Sequence, residues 1–280
     1  RAATAGIRTL TGSAVFEVKG KRQVKAALVC GLDSERNALI GNDETIPTDI
    51  IASSGGWSPV VHLSCHTGIK PDWREDIAAF VPGATNQKML TAGAVSGDFS
   101  LSAALRQGAS AAATILADCG FDLEDRATIS CQEHTVGTFQ PCFHIPHRKP
   151  TSRSPAQFVD YQLDVTAAAI ELATREGFES IEHVKRYTAL GFGTDQGKMS
   201  NVNGIAIAAR STGRSISETG TTMIRPNYTP VSFGAMAGRD VNELFQLKRY
   251  TAMQPWHEQA GALFENVGQW KRPWYYPQAG

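Results

Sequence analysis

The sequence has no CxxC pair, no surplus of either charge and no long apolar run, and each absence removes a class of function. Its five cysteines (Cys30, Cys65, Cys119, Cys131 and Cys142) are scattered and odd in number. That usage suggests reduced thiols in a cytoplasmic protein rather than a disulfide framework. Cys131, Cys142, His144 and His147 lie near one another, but the ten-residue gap between the cysteines and the neighbouring prolines do not match a standard zinc site. Lysine plus arginine and aspartate plus glutamate both total 27, so no basic surface for nucleic acid or anionic lipid is expected. The alanine-rich run 101–116 contains Arg106, Gln107 and several serines, too polar to span a bilayer. No secretory leader pattern is present. The chain starts at Arg1 and stops inside WKRPWYYPQAG, which reads as an excerpt of a longer polypeptide.

At 280 residues the chain can build one large or two ordinary domains. The first block, 1–120, looks rich in strand. Short strands are expected at Ile7–Leu10, Ala14–Lys19, Arg22–Cys30 and Thr45–Asp49, with a polar turn over Asp33–Asp43. TDIIASSGGWSP follows, with a buried strand expected at Ile50–Ala52 running into Ser53, Ser54, Gly55 and Gly56. Small residues after a buried parallel strand admit a ligand or a second backbone; the same residues also suit a turn closing a core strand. The second signal is LTAGAVSGDFSLSAALRQGASAAA. Here Gly93, Ala94, Gly97, Asp98, Phe99 and Leu101 lead into an alanine-rich helix. Asp98 places a carboxylate beside the helix start, where ribose hydroxyls or backbone amides can bond it.

Residues 121–157 lack periodicity and carry several prolines, which indicates an extended connector. The block 158–220 is a compact strand–helix–helix–loop–helix unit. Thr166 caps AAAIELATRE, Gly177 ends it, and Glu171 and Arg175 form an i,i+4 pair. Ser180 caps SIEHVKRYTAL, with Glu182 in the first turn. The third helix is Asn201–Thr212, ending at Gly213. Between the second and third helices lies GFGTDQGKMS, where Gly191, Gly193 and Gly197 precede Lys198 and Ser200. A glycine-rich loop at a helix start can cradle an anion; it can equally be a tight helix–helix turn that needs φ > 0. In 221–280 an extended Thr221–Thr229 leads to aromatics around Trp256, His257 and GQWKRPWYYP, able to line a site for a flat ligand or to form the edge of a core.

The pair SSGGWSP and AGAVSGDFSL resembles the end of a two-dinucleotide-binding-domain flavoprotein. FVDYQLDVT followed by VKRYTALGFGTDQGKMSNVN is similar to the α subunits of heterotetrameric sarcosine oxidases, and the resemblance covers nearly the whole chain. The 158–220 unit also resembles the helical [2Fe–2S] domain of bacterioferritin-associated ferredoxin. The family's four cysteine positions fall here on Asp160, Gln162, Asp195 and Ser200, groups that cannot replace thiolates around an iron–sulfur cluster.

The resemblance implies an α/β chain in four parts. These are the C-terminal part of an NAD-binding domain (1–120), a linker (121–157), a cluster-less [2Fe–2S]-like helical domain (158–220), and a linker with the start of an aminomethyltransferase-like, folate-binding α+β domain (221–280). It implies NAD at Gly55, Gly56, Gly93, Ala94, Gly97, Asp98, Phe99 and Leu101. FMN would lie at the interface with the β subunit, near Gly197, Lys198 and Ser200, and tetrahydrofolate farther on. It implies β, γ and δ partner subunits, and no catalytic side chain or metal ligand within 1–280. The rival families are a heteromeric amino-acid or opine dehydrogenase and a non-catalytic assembly subunit.

Overall fold

Strand β2 (Val24–Leu32) carries the apolar run of the first fifty residues and lies between β1 (Ser13–Gly20) and β3 (Leu39–Pro47) in an antiparallel meander. Ala26, Ala27, Val29, Cys30 and Leu32 are buried along it. Phe16 is the extra residue between the pairs Val15–Val29 and Glu17–Leu28. This bulge turns its ring inward, against His147 at 5.7 Å between centroids. The computed structural model describes residues 2–121, 129, 131–132, 140–224, 229–239 and 247–278, and they divide into two compact units, 1–229 and 230–280.

Several expectations for the first block change. No strand forms at Ile7–Leu10; Arg8 instead holds Glu44 of β3 through a two-point ion pair at 2.6 and 2.7 Å. The polar turn is shorter than expected. The Asp33 carboxylate accepts from the amides of Asn37 and Ala38 and closes it early, so Leu39–Asp43 belongs to β3. The strand expected at Ile50–Ala52 is absent, and residues 48–61 are irregular and mostly exposed, with Trp57 82% accessible. A short apolar run specifies burial only if a neighbour pairs with it. Among the described residues every strand ladder is antiparallel, leaving no parallel partner for 50–52.

After helix α1 (His62–Cys65) comes the hairpin β4 (Asp72–Arg74) and β5 (Ala79–Val81). Trp73 and Phe80 face each other across it, edge to face at 4.9 Å. Helix α2 (Leu101–Asp118) starts at Ser100, whose hydroxyl accepts from the Ala103 amide.

The helical block matches its sequence more closely. A small ladder of β6 (Phe158–Asp160) and β7 (Val165–Thr166) leads through the Thr166 cap into α3 (Ala167–Arg175). Helices α4 (Ile181–Thr188), α5 (Asn201–Thr212) and α6 (Ile216–Thr219) follow. Ile170, Val184, Leu190, Ile205 and Ile207 are almost wholly buried in one core, each worth about 1.5–3 kcal/mol of transfer free energy. Phe80 is a member of that core, and Trp73 packs on its edge. The first block therefore inserts its hairpin into the helical one.

Two local expectations are corrected. Ser180 stands at the start of α4, but its side chain makes no capping bond. Glu171 turns to the Thr151 hydroxyl (3.0 Å) and Arg210 (3.4 Å) rather than along its own helix to Arg175. The described part of the connector runs along both blocks. His147 and Arg148 reach Glu17 and Asp43 of the sheet, and Gln157 donates to the Ile145 carbonyl. Its residues 122–128, 130 and 133–139, and residues 225–228 of the expected extended stretch, lie outside the described residues.

In the second unit Ser232 caps α7 (Phe233–Ala237), and Pro255 sits in the first turn of α8 (Gln254–Gln259). The antiparallel pair β8 (Leu263–Val267) and β9 (Trp270–Tyr275) turns at Gly268, φ 60°, with Glu265 opposite Arg272 and bonded to it. His257 Nδ1 meets the Tyr276 hydroxyl beside Trp256.

Candidate functional site

Four residues marked by the ferredoxin-like pattern converge, and they do so by bonding one another. Asp160 ends β6 almost completely buried. Its Oδ1 accepts from the amides of Gln162 (2.9 Å) and Leu163 (3.1 Å), closing the β6–β7 turn. Its Oδ2 accepts from the Gly191 amide (2.9 Å) and the Ser200 hydroxyl (3.3 Å) across the glycine loop. A buried carboxylate is tolerable when its oxygens are met by donors, and here three backbone amides and a hydroxyl do so.

Gln162 forms the second tie. Its Nε2 donates to the Thr194 hydroxyl (3.2 Å) and its Oε1 accepts from the Asp195 amide (3.2 Å). Asp195 in turn accepts from the amides of Gly197 and Met199. Side chains therefore occupy the space that the three loop glycines leave. A Cβ on Gly193 would overlap Gln162 Oε1, and one on Gly191 or Gly197 would overlap the Asn201 carboxamide. Gly191 and Gly197 also have φ of 71° and 76°, so both space and backbone require glycine there.

This arrangement sorts the residues expected to meet a flavin. Lys198 is exposed on the loop's outer side, its Nζ 3.3 Å from the Asp195 carbonyl. Ser200 is turned the other way, buried and bonded to Asp160. The expectation that its hydroxyl faces a phosphate is corrected by that geometry. Gly197 is buried as well. The outer face of the loop thus carries Lys198, and the inner face is filled.

The other candidate residues fall into two places. Gly55 and Gly56 are exposed with open space around their Cβ positions, and Gly56 has φ 92°. Their backbone is accessible to a flat ligand. The turn leads into α1, where burial first, and then the neighbouring His66 and Lys198, hold the His62 imidazole below its ordinary pKa.

Gly93 and Gly97, with φ 70° and 83°, are buried against the protein itself. A Cβ on Gly93 would touch Ala104 Cβ at 3.2 Å, and one on Gly97 would meet Ile77 Cδ1 at 2.7 Å. Asp98 is half-buried and takes a hydrogen bond from Gln107. Ala94, Phe99 and Leu101 are exposed around it. Packing rather than a ligand dictates the two glycines of this turn.

Among the described residues no group of three His, Cys, Asp or Glu side chains is placed to hold a metal ion. Cys142 points its thiol at the His144 carbonyl, 3.8 Å away. His144 lies between Gln157 (2.9 Å) and Arg210, and burial lowers its pKa. Burial likewise raises the Cys30, Cys65 and Cys142 thiols above their ordinary range, so none is poised as a thiolate. No described helix is long and apolar enough to cross a membrane.

Residues 154–239 match the family model of the sarcosine oxidase A3 domain. The α subunit of a sarcosine oxidase from Corynebacterium sp. (strain U-96) is 40% identical over 285 residues, covering 100% of this chain and 29% of that protein. Another, from Rhizobium meliloti (strain 1021), is 37% identical over 276 residues, 96% of this chain and 28% of its own length. An opine oxidase subunit of Rhizobium meliloti (strain 1021) is 28% identical over 193 residues, 65% of this chain and 42% of its length. The chain thus spans under a third of the sarcosine oxidase relatives. A crystal structure of L-proline dehydrogenase from P. horikoshii shares the fold, with a TM-score of 0.53 at 19% identity over 79% of this chain and 44% of that one.

Proposed function

The chain is homologous along its length to sarcosine oxidase α subunits, and from that premise we propose that it forms the part of such a protein joining a dinucleotide-binding lobe to a helical module that faces the partner subunits. The assembled enzyme, with β, γ and δ subunits in the cytoplasm, oxidatively demethylates the secondary amine sarcosine to glycine. The one-carbon unit passes to tetrahydrofolate and oxygen is reduced to hydrogen peroxide. The observation that carries this reading is identity of 37–40% sustained over 96–100% of the chain. The opine oxidase relative matches only 65% of it.

In this reading the chain divides into the four parts expected from the sequence, with the folate-binding domain beginning in the second unit. The flavin and the nucleotide supply the redox chemistry; this chain supplies binding surfaces. Lys198, on a loop tied down from inside by Asp160 and Gln162, offers a fixed cation to the FMN phosphate. Gly55, Gly56 and the Gly93–Leu101 turn offer backbone and the Asp98 carboxylate to NAD.

Co-expression of the full-length α chain with its partner subunits tests the activity, through sarcosine-dependent peroxide and methylene-tetrahydrofolate formation. Turnover of an opine or another secondary amine with none of sarcosine would overturn the substrate assignment. For the flavin contact, Lys198→Ala is expected to lower FMN content per assembled complex; full flavin occupancy in that variant would refute the contact.

A further inference from the structure

Gln107 lies two turns inside α2, and both ends of its carboxamide are engaged. Its Oε1 accepts from the Gly93 amide at 2.6 Å, and its Nε2 donates to Asp98 Oδ2. The same turn is drawn together by Asp98 N to the Gly93 carbonyl (3.3 Å) and Gly97 N to the Ala94 carbonyl (3.1 Å). The Arg74 guanidinium reaches the Ser96 carbonyl at 3.4 Å from the β4–β5 hairpin. Arg74 is a competing attraction for Asp98: its guanidinium is stabilised in its charged form chiefly by Asp76, with a smaller contribution from Asp98. Holding one carboxylate oxygen through Gln107 fixes the direction of the other, as an outer-shell partner fixes a ligand.

We propose that Gln107 is a positioning residue that aims the Asp98 carboxylate at the vicinal hydroxyls of a bound nucleotide's ribose. The proposal rests on the reading of Asp98 as a nucleotide contact, and the test separates the two. NAD affinity is measured by calorimetry on the full-length α chain, co-purified with its partner subunits and stripped of nucleotide. The variants are Asp98→Asn, Gln107→Leu and Gln107→Glu.

Gln107→Leu should weaken NAD binding about tenfold, the equivalent of one charge-assisted hydrogen bond. Gln107→Glu should bind weakly at pH 8, where two carboxylates repel, and recover toward pH 5.5, where a protonated Glu can again donate to Asp98. Urea unfolding of Gln107→Glu at both pH values separates a structural role: affinity that recovers without a matching gain in stability marks positioning, whereas affinity that only tracks stability would overturn it. Weak binding by Asp98→Asn with wild-type affinity for both Gln107 variants would overturn the positioning role and leave the contact standing. Wild-type affinity in Asp98→Asn would overturn the contact and the proposal with it.

Discussion

Replacing Asp160 perturbs the helical module at its most connected point. In Asp160→Asn the Oδ1 position remains a carbonyl and keeps the Gln162 and Leu163 amides at 2.9 and 3.1 Å. The Oδ2 position becomes an amide donor facing the Gly191 N–H, which loses its 2.9 Å acceptor. Ser200 can rotate its hydroxyl proton and accept instead. One charge-assisted bond is lost and one buried donor orphaned, so the cost should be about 2–3 kcal/mol. Asp160→Ala strips all four bonds and should cost about 3–5 kcal/mol. Ser200→Ala removes only the 3.3 Å bond and should cost about 1 kcal/mol. Urea unfolding of the full-length α chain reads these differences. Hydrogen exchange at the Gly191 amide localises them, because only loss of the Asp160 acceptor should release that proton early. Stability within about 0.5 kcal/mol of wild type for Asp160→Ala, the scatter of an ordinary surface substitution, with unchanged exchange at Gly191, would refute the hub role.

Three further outcomes are expected. Ala189 ends α4 in the left-handed region at φ 67°, so Ala189→Gly should raise the unfolding free energy by about 0.5–1 kcal/mol in the same assay. In Gly204→Ala the new Cβ would stand 2.5 Å from Leu190 Cδ2, inside the core, and thermal unfolding should show a loss of about 1–3 kcal/mol. Burial lowers the pKa of His144, which accepts from Arg210. Its contribution is therefore complete above the ordinary histidine range and lost as pH falls through that range toward the folded value. Unfolding midpoints at pH 7.5 and 5.5 should converge in His144→Gln relative to wild type.

Much of the helical block is legible because several of its boundaries carry their own chemistry, Ser180 being the exception that makes no capping bond. Thr166 caps, Gly177 and Gly213 turn left-handed, and Asn201–Thr212 lies where its apolar positions put it. The stretch 48–59 was not, since an apolar triplet does not say whether a strand will pair with it. The early start of β3 was hidden by its polar residues Asn42, Asp43 and Glu44, which suit a turn or an exposed strand alike. At the site the sequence indicated the right loop but not the direction its side chains take. Ser200 faces Asp160 forty positions away, and that pairing follows only from the path of the intervening helices. Gln107 reads as one polar residue in an alanine-rich helix, and its partners emerge only once the 93–98 turn folds back on α2.

The β4–β5 hairpin bears on how modular this chain is. The family model covers 154–239, which suggests a self-contained piece, yet the core of that piece contains Phe80, with Trp73 against its edge. Excising the helical module would leave a socket where those rings sit, and transplanting it would require the hairpin to travel too. The two blocks are thus bound to a shared history: substitutions lining the socket must suit residues contributed from far upstream, so neither block is free to drift or recombine alone.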